Sequence, residues 1–202
     1  MGKPIAAVAD ITSYSLENSK HITTGDGGIV VTNDEKLAQS MRKFGSLGYG
    51  ALKAKDGRIR NNKDIFQDPS YKRHDAFGYN YRMPEVAAAV GLAQTERLHY
   101  FLDLRQRIAS QFLELISCCN FLTPQKIPDG YNCTYWTVAM KYTHPDVSWQ
   151  DFRFKFTEFG GDGIYAASRL IHQEPAIKKK SIGREANSTP VARQLQKQLL
   201  LF

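Results

Sequence analysis

Lys20 is the residue of this chain whose setting best suits chemistry. It stands in Ser13-Tyr-Ser-Leu-Glu-Asn-Ser-Lys20-His-Ile-Thr-Thr-Gly-Asp-Gly-Gly28, among small hydroxyl residues and just ahead of a glycine-rich turn. An apolar run, Ile29 to Thr32, follows at once. A lysine held between hydroxyls and a tight turn is partly desolvated, and its amine can condense with a carbonyl as a Schiff base. The hydroxyls of Ser13, Ser15 and Ser19 and the exposed amides of the turn suit an anion such as a phosphate. Together these suggest pyridoxal 5'-phosphate (PLP). The same residues also suit a solvated surface loop, because most lysines are exposed and Ser/Thr/Gly clusters mark loops. Two other phosphate motifs are excluded. The segment has no Gly-x-x-x-x-Gly-Lys-Ser/Thr spacing, and no Gly-x-Gly-x-x-Gly opens a helix here.

The elements that must position Lys20 can be read on either side of it. Residues 6–15 alternate loosely and predict a strand leading into the lysine loop. Residues 28–32 predict a second strand, short and apolar enough to be buried. Asn33 and Asp34 cap a predicted helix running to about Phe44, with Leu37, Met41 and Phe44 at helical spacing. Residues 45–74 are polar, charged and aperiodic, and read as a surface excursion. Pro84 and Glu85 suit the first turn of a helix. Val86, Val90, Leu92, Leu98, Leu102, Ile108 and Phe112 then carry a long or once-broken helix to about Ser117. Beyond it, residues 131–142 predict a strand and Ser148 starts a helix that Gly160 and Gly161 stop. Residues 162–167 predict a further strand, and 190–200 a last helix with Val191, Leu195, Leu199 and Leu200 on its apolar side. The portion from about Asn120 onward reads as a small α+β domain.

The lysine segment resembles the active-site region of the DegT/DnrJ/EryC1/StrS family of PLP-dependent sugar aminotransferases. The family pattern is Ser-Phe-Ser-Phe-x-x-x-Lys-x-x-Thr-x-Gly-Glu-Gly-Gly, then an apolar strand and Thr-Asn-Asp. This chain gives Ser13-Tyr-Ser-Leu16, Lys20, Thr23, Gly25-Asp-Gly-Gly28 and Thr32-Asn-Asp34. A second match, Gly78-Tyr-Asn-Tyr-Arg82, opens a long helix as it does in the family. A third joins Phe159-Gly-Gly-Asp-Gly-Ile-Tyr165 with His172 to Pro175. The resemblance implies an α/β fold of the PLP-dependent transferase (aspartate aminotransferase-like) type. Residues 1–117 would be the C-terminal part of its large domain with the linking helix, and 118–202 the small C-terminal α+β domain.

The same resemblance implies site residues. Lys20 would carry the cofactor as a Schiff base and later move protons between it and the substrate carbon. Ser15 would hydrogen-bond the cofactor phosphate. Asn80 would reach the phosphate of the neighbouring subunit's cofactor, making the active site a property of a homodimer, and Arg82 would act on that phosphate or on the subunit contact. His172 would touch the sugar. The implied reaction moves an amino group from glutamate or glutamine to a keto sugar carried on a nucleoside diphosphate. Relatives with histidine at the lysine position are PLP-dependent sugar dehydratases; lysine at position 20, with Ile22 and Thr23 in register, favours aminotransfer. Which sugar, ring carbon and stereochemistry are involved is not written in these residues.

The family also carries a long segment ahead of its lysine. That segment supplies an aspartate at the pyridine nitrogen, a ring stacked on the cofactor and further phosphate contacts. None of these is matched in residues 1–10. The chain is therefore expected to be partial at both ends, leaving strands near 6–10 and 28–32 with unpaired edges and an exposed apolar face. An inactive remnant that keeps only a subunit-contact surface is the rival expectation.

A net charge of +7 suits a phosphate cofactor and a nucleotide sugar as well as it suits nucleic acid. The basic residues are dispersed apart from Lys178 to Lys180 and the 53–63 stretch, and neither has the aromatic interleaving of a nucleic-acid module, so no nucleic-acid partner is expected. Cys118, Cys119 and Cys133 form no disulfide framework and no metal spacing, which fits a reducing cytoplasm. No apolar run reaches the length of a membrane span, and no metal site is expected.

Overall fold

The computed structural model describes residues 4–50, 64, 67–180 and 189–202, arranged in two compact units, Met1–His99 and Tyr100–Phe202. The basic stretch at 53–63 lies outside the described residues.

In the first unit, β1 (Thr12–Ser15) and β2 (Gly28–Val31) form an antiparallel pair with Ser15 opposite Gly28 and Thr12 opposite Val31. The strand expected over 6–15 is confined to its last four residues. Ile5–Ala7 instead forms a 3-10 turn closed by the Ala7 N–H on the Pro4 carbonyl, as suits a fixed proline φ. β2 is four residues long, so it offers no ladder partner to residues 8–11. The burial expected for β2 is not found either: Ile29 and Val30 are half exposed, because among the described residues the two-stranded sheet has no covering layer.

Thr32 ties the end of this hairpin to the next element, donating its hydroxyl to the Asp10 carbonyl and accepting from Asp34 N–H. Asp34 is the N-cap of α1 (Glu35–Gly45), its carboxylate accepting from Lys36 N at 2.7 Å and Leu37 N at 3.0 Å. Asp34→Ala leaves both N–H groups without that acceptor. It should destabilise the first unit by about 1 kcal/mol, read as a lower urea midpoint for loss of helical circular dichroism.

Two sections then run side by side. Tyr79 N–H donates to the Phe44 carbonyl, Leu47 N–H to Tyr79, and Tyr81 N–H to Gly45, while single bridges pair Ser46 with Asn80 and Tyr49 with His74. Lys43 and Asp75 close the arrangement with an ion pair at 2.6 Å. The expected long helix is once broken. α2 (Glu85–Glu96) ends at Arg97, and α3 (Leu98–Ile116) continues beyond it. Pro84 is the residue just before α2 rather than inside its first turn.

The second unit holds a proper core. Its sheet has the order β3 (Leu122–Pro124), β4 (Ala139–Tyr142), β6 (Leu199–Leu201), β5 (Tyr165–Ala166), antiparallel throughout. Met140 and Leu200 face each other in register and are essentially unexposed. Phe112, Leu113 and Ile116 of α3 pack on this core, as do Trp149, Phe152 and Phe156 of α4 (Trp149–Glu158). Burying a side chain of the Met140 or Leu200 class contributes about 1.5–3 kcal/mol. Ser148 caps α4 as expected, accepting from Asp151 N–H.

Two expectations in this unit are corrected. The helix foreseen over 190–200 ends as α6 (Pro190–Gln196), and Leu199 to Leu201 form the inner strand β6. The burial and the ladder bonds available between β4 and β5 outweigh helical continuation there. The strand foreseen over 131–142 is limited to β4. Tyr135 sits at φ +47°, and the carbonyls of Cys133 and Trp136 are taken by the Gln106 and Arg105 side chains of α3 rather than by a neighbouring strand. Likewise β5 covers only two residues of the 162–167 run, and α5 (Pro175–Lys180) carries the three-lysine run.

Candidate functional site

The loop joining β1 to β2 is built on its own polar groups. Leu16, the first residue after β1, is 4% exposed. Its N–H donates to the Gly27 carbonyl, and its own carbonyl accepts from Thr24 N–H and the Thr23 hydroxyl. The far side of the loop is tied by Gly25 N–H to the Thr23 hydroxyl and by the Thr24 hydroxyl to the Asp26 carbonyl. Gly25 and Gly27 hold φ of +84° and +148°, conformations that favour glycine. The loop rests on α2. Thr23 N–H reaches Gln94 Oε1, and a Cβ on Gly91 would lie 2.9 Å from the Thr24 methyl, so a small residue is needed there.

Lys20 stands at the end of a tight turn, its N–H donating to the Glu17 carbonyl at 3.0 Å. Its side chain is 29% exposed and Nζ lies 4.0 Å from Glu17 Oε2. That same oxygen accepts from Ser19 N–H at 2.9 Å and from the Ser19 hydroxyl at 2.6 Å. The hydrogen bond from the Ser19 hydroxyl, then that from its N–H, hold the Glu17 carboxyl below the usual carboxylate range, with Lys20 adding to the effect. The Ser15 hydroxyl accepts from Glu17 N–H at 3.3 Å, so its own proton points elsewhere and can be donated.

Asn80 and Arg82 lie on the section that pairs with the end of α1. Arg82 Nε donates to Asn80 Oδ1 at 2.8 Å. Phe44, Tyr79 and Tyr81 pack ring against ring beside them and remain half or more exposed. An open groove of about 650 Å³ runs between Gly28 and Val30 of β2, Met41 and Phe44 of α1, and Tyr81 with Arg82. The structure thus places Ser15 at the end of β1 and Lys20 on the loop that follows it, and Asn80 and Arg82 together on another section. Arg82 shares its groove with Gly28, the residue paired to Ser15. His172 is in the second unit, in the 3-10 turn Ile171–Gln173, with Nε2 3.5 Å from the Thr189 hydroxyl.

Glu17 and Gln94 are the parts of this constellation that composition and motif spacing did not single out. The i, i+3 spacing of Glu17 and Lys20 was the available signal. Among the described residues no group of three or more His, Cys, Asp or Glu could hold a metal ion, and no helix is long and apolar enough to cross a membrane.

A family model described as the DegT/DnrJ/EryC1/StrS aminotransferase family matches residues 1–201. Among curated relatives, the chain is 32% identical over 139 residues to the GDP-perosamine synthase of Escherichia coli O157:H7, covering 69% of this chain and 33% of that protein. It is 29% identical over 187 residues to the UDP-4-amino-4,6-dideoxy-N-acetyl-beta-L-altrosamine transaminase of Campylobacter jejuni, covering 90% of this chain and 44% of that one. Among solved structures, DesV of S. venezuelae, crystallised in complex with a ketimine intermediate, superimposes with a TM-score of 0.76 at 21% identity. That match covers 100% of this chain and 48% of DesV. The fold is that of the PLP-dependent sugar aminotransferases, and the chain spans about a third to a half of the length of these relatives.

Proposed function

The chain belongs to the DegT/DnrJ/EryC1/StrS aminotransferase family, and from that premise we propose that it serves PLP-dependent transfer of an amino group from glutamate or glutamine to a nucleotide-linked keto sugar. The observation that carries this reading is the Lys20 loop. Lys20 stands on an ordered turn, with the Ser15 hydroxyl at the end of β1 just before it, at the motif position of a family match running from residue 1 to residue 201. The names of the two curated relatives, a GDP-sugar synthase and a UDP-sugar transaminase, support the substrate class.

The residues present suit the cofactor. The Ser15 proton is free to be donated to a phosphate, and the Lys20 amine is accessible at the turn. When bound, PLP supplies the electron sink that stabilises negative charge on the substrate carbon. Lys20 Nζ would be the group that holds the cofactor covalently, and its free amine would take and return the substrate proton. Ser15 orients the phosphate. Asn80, with Arg82 hydrogen-bonded behind it, serves the phosphate held by the second subunit of a homodimer, and His172 contacts the sugar. In this reading residues 1–117 are the remainder of the cofactor-binding large domain with its linking helix, and 118–202 the small domain. The setting is the cytoplasm.

The test is the visible absorbance of the purified chain mixed with PLP and then with glutamate. A Schiff-base band that shifts on adding glutamate, with release of 2-oxoglutarate, is the expected result. A band indifferent to every amino donor overturns aminotransfer. With no band at all, the chain alone is the subunit-contact remnant.

A further inference from the structure

The Glu17 carboxylate gathers donors around itself at the Lys20 turn. Its Oε2 collects Ser19 N–H at 2.9 Å and the Ser19 hydroxyl at 2.6 Å, and it lies 4.0 Å from Lys20 Nζ. These are the donor types that a phosphate takes from a loop: a main-chain amide, a hydroxyl and an ammonium group. The carboxylate is also ionised at neutral pH, since hydrogen bonds from Ser19 keep it below the usual range. The family pattern around Lys20 does not call for an acid at this position, and Glu17 plays no part in the chemistry assigned to Lys20.

We propose that Glu17 is an internal anion that occupies the Ser19–Lys20 donor set in the ligand-free chain and must withdraw before a phosphate-bearing aldehyde reaches the lysine. The inference rests on the reading of Lys20 as the cofactor lysine, and it assigns Glu17 as a positioning residue that restrains that lysine. Two physical consequences follow. A carboxylate 4.0 Å from Lys20 Nζ holds the amine toward the Glu17 side of the turn, so Glu17 slows its approach to an electrophile. It also repels an incoming phosphate and holds the Ser19 donors that this phosphate needs. Glu17 is 47% exposed at its side chain, so its carboxylate has solvent to withdraw into.

The experiment uses the full chain, without cofactor, as wild type, Glu17→Gln and Glu17→Ala. Lys20 is acylated with acetic anhydride at pH 8, with and without inorganic phosphate, and modification is mapped by mass spectrometry against exposed Lys36 as the internal reference. Both variants should label at Lys20 about two- to fivefold faster relative to Lys36, the range that an exposed ion pair supports. Inorganic phosphate should protect Lys20 in the variants at concentrations about threefold lower than in wild type. Glu17→Gln keeps the shape of the side chain and tests charge alone, while unchanged far-ultraviolet circular dichroism in both variants shows that the fold is retained. Lys20 labelling that is unchanged or slower overturns the proposal, because a carboxylate that merely stabilises the turn would give that result. Equal phosphate protection in all three proteins, or none in any, overturns it as well. None of these readouts uses PLP, so failure here leaves the absorbance test to judge the cofactor reading separately.

Discussion

In Lys20→Ala, the visible band that PLP raises in the wild-type chain is lost, and borohydride no longer fixes the cofactor at position 20. The expected fall in cofactor trapped there is about two orders of magnitude or more, as for removal of a covalent nucleophile. The fold gives no reason for collateral damage. The turn is closed by the main-chain bond from residue 20 to the Glu17 carbonyl, which alanine keeps, and the side chain is partly exposed. Lys20→Arg separates charge from chemistry. Arginine preserves the cation facing Glu17 but stays protonated and forms no Schiff base, so it should behave as alanine does. Peptide mapping after reduction is the deciding measurement, since exposed lysines such as Lys36 and Lys155 also react slowly with an aldehyde. Trapping that persists undiminished in the alanine variant, at other lysines only, would show that Lys20 is an ordinary surface residue.

Much of the scaffold around Lys20 was legible because it depends on local chemistry. Asp34 and Ser148 cap helices with their own side chains, and Gly160 and Gly161 end α4 because nothing larger suits the turn, where Gly160 holds φ +83°. The apolar spacing from Val86 to Phe112 marked the helical stretch and left open whether it was broken; the structure places the break at Arg97. The failures came where distant partners decide. Leu199 to Leu201 continue a helical pattern from Val191, and a short apolar run of this kind suits either state. Pairing of Leu200 with Met140 at the centre of the sheet settles it as a strand. The run at 131–138 has the residues of a strand, but its carbonyls are claimed by Arg105 and Gln106 from a helix about thirty residues earlier. Ile29 and Val30 have a buried composition and an exposed position, since burial requires a covering layer that no property of the strand supplies. At the site, the family resemblance pointed to Lys20, Ser15, Asn80 and Arg82 as candidates. It could not show that Arg82 braces Asn80 or that Glu17 gathers Ser19, because polar residues in loops have many possible partners and only the folded path selects one.

Gly78→Ala tests whether the loop that carries Asn80 and Arg82 depends on close main-chain approach. A Cβ at residue 78 would lie 2.4 Å from Gly48 N, 2.7 Å from the Lys43 carbonyl oxygen and 2.9 Å from the Phe44 carbonyl oxygen. All three are main-chain atoms, and two of the residues involved belong to the end of α1, so no flexible side chain can move aside. The neighbouring hydrogen bonds from Tyr79 to Phe44, from Leu47 to Tyr79 and from Tyr81 to Gly45 are short and close together, and a shift large enough to admit the methyl group must break some of them. Overpacking of this kind costs about 3 kcal/mol. The first unit has little with which to absorb that loss, since Leu16 is its one buried large apolar residue among those described. Protection of the Tyr79 and Tyr81 amides against hydrogen exchange should fall about a hundredfold, in line with that cost. Borohydride trapping of PLP at Lys20 should fall less than in Lys20→Ala, because the lysine loop has its own hydrogen bonds. Gly163→Ala is the control. A Cβ there meets nothing within 4 Å, so its effect should stay within about 0.5 kcal/mol. Undiminished amide protection in Gly78→Ala would mean that the two main-chain sections are not held together as closely as their hydrogen bonds indicate, and that Asn80 and Arg82 are placed by something other than this contact.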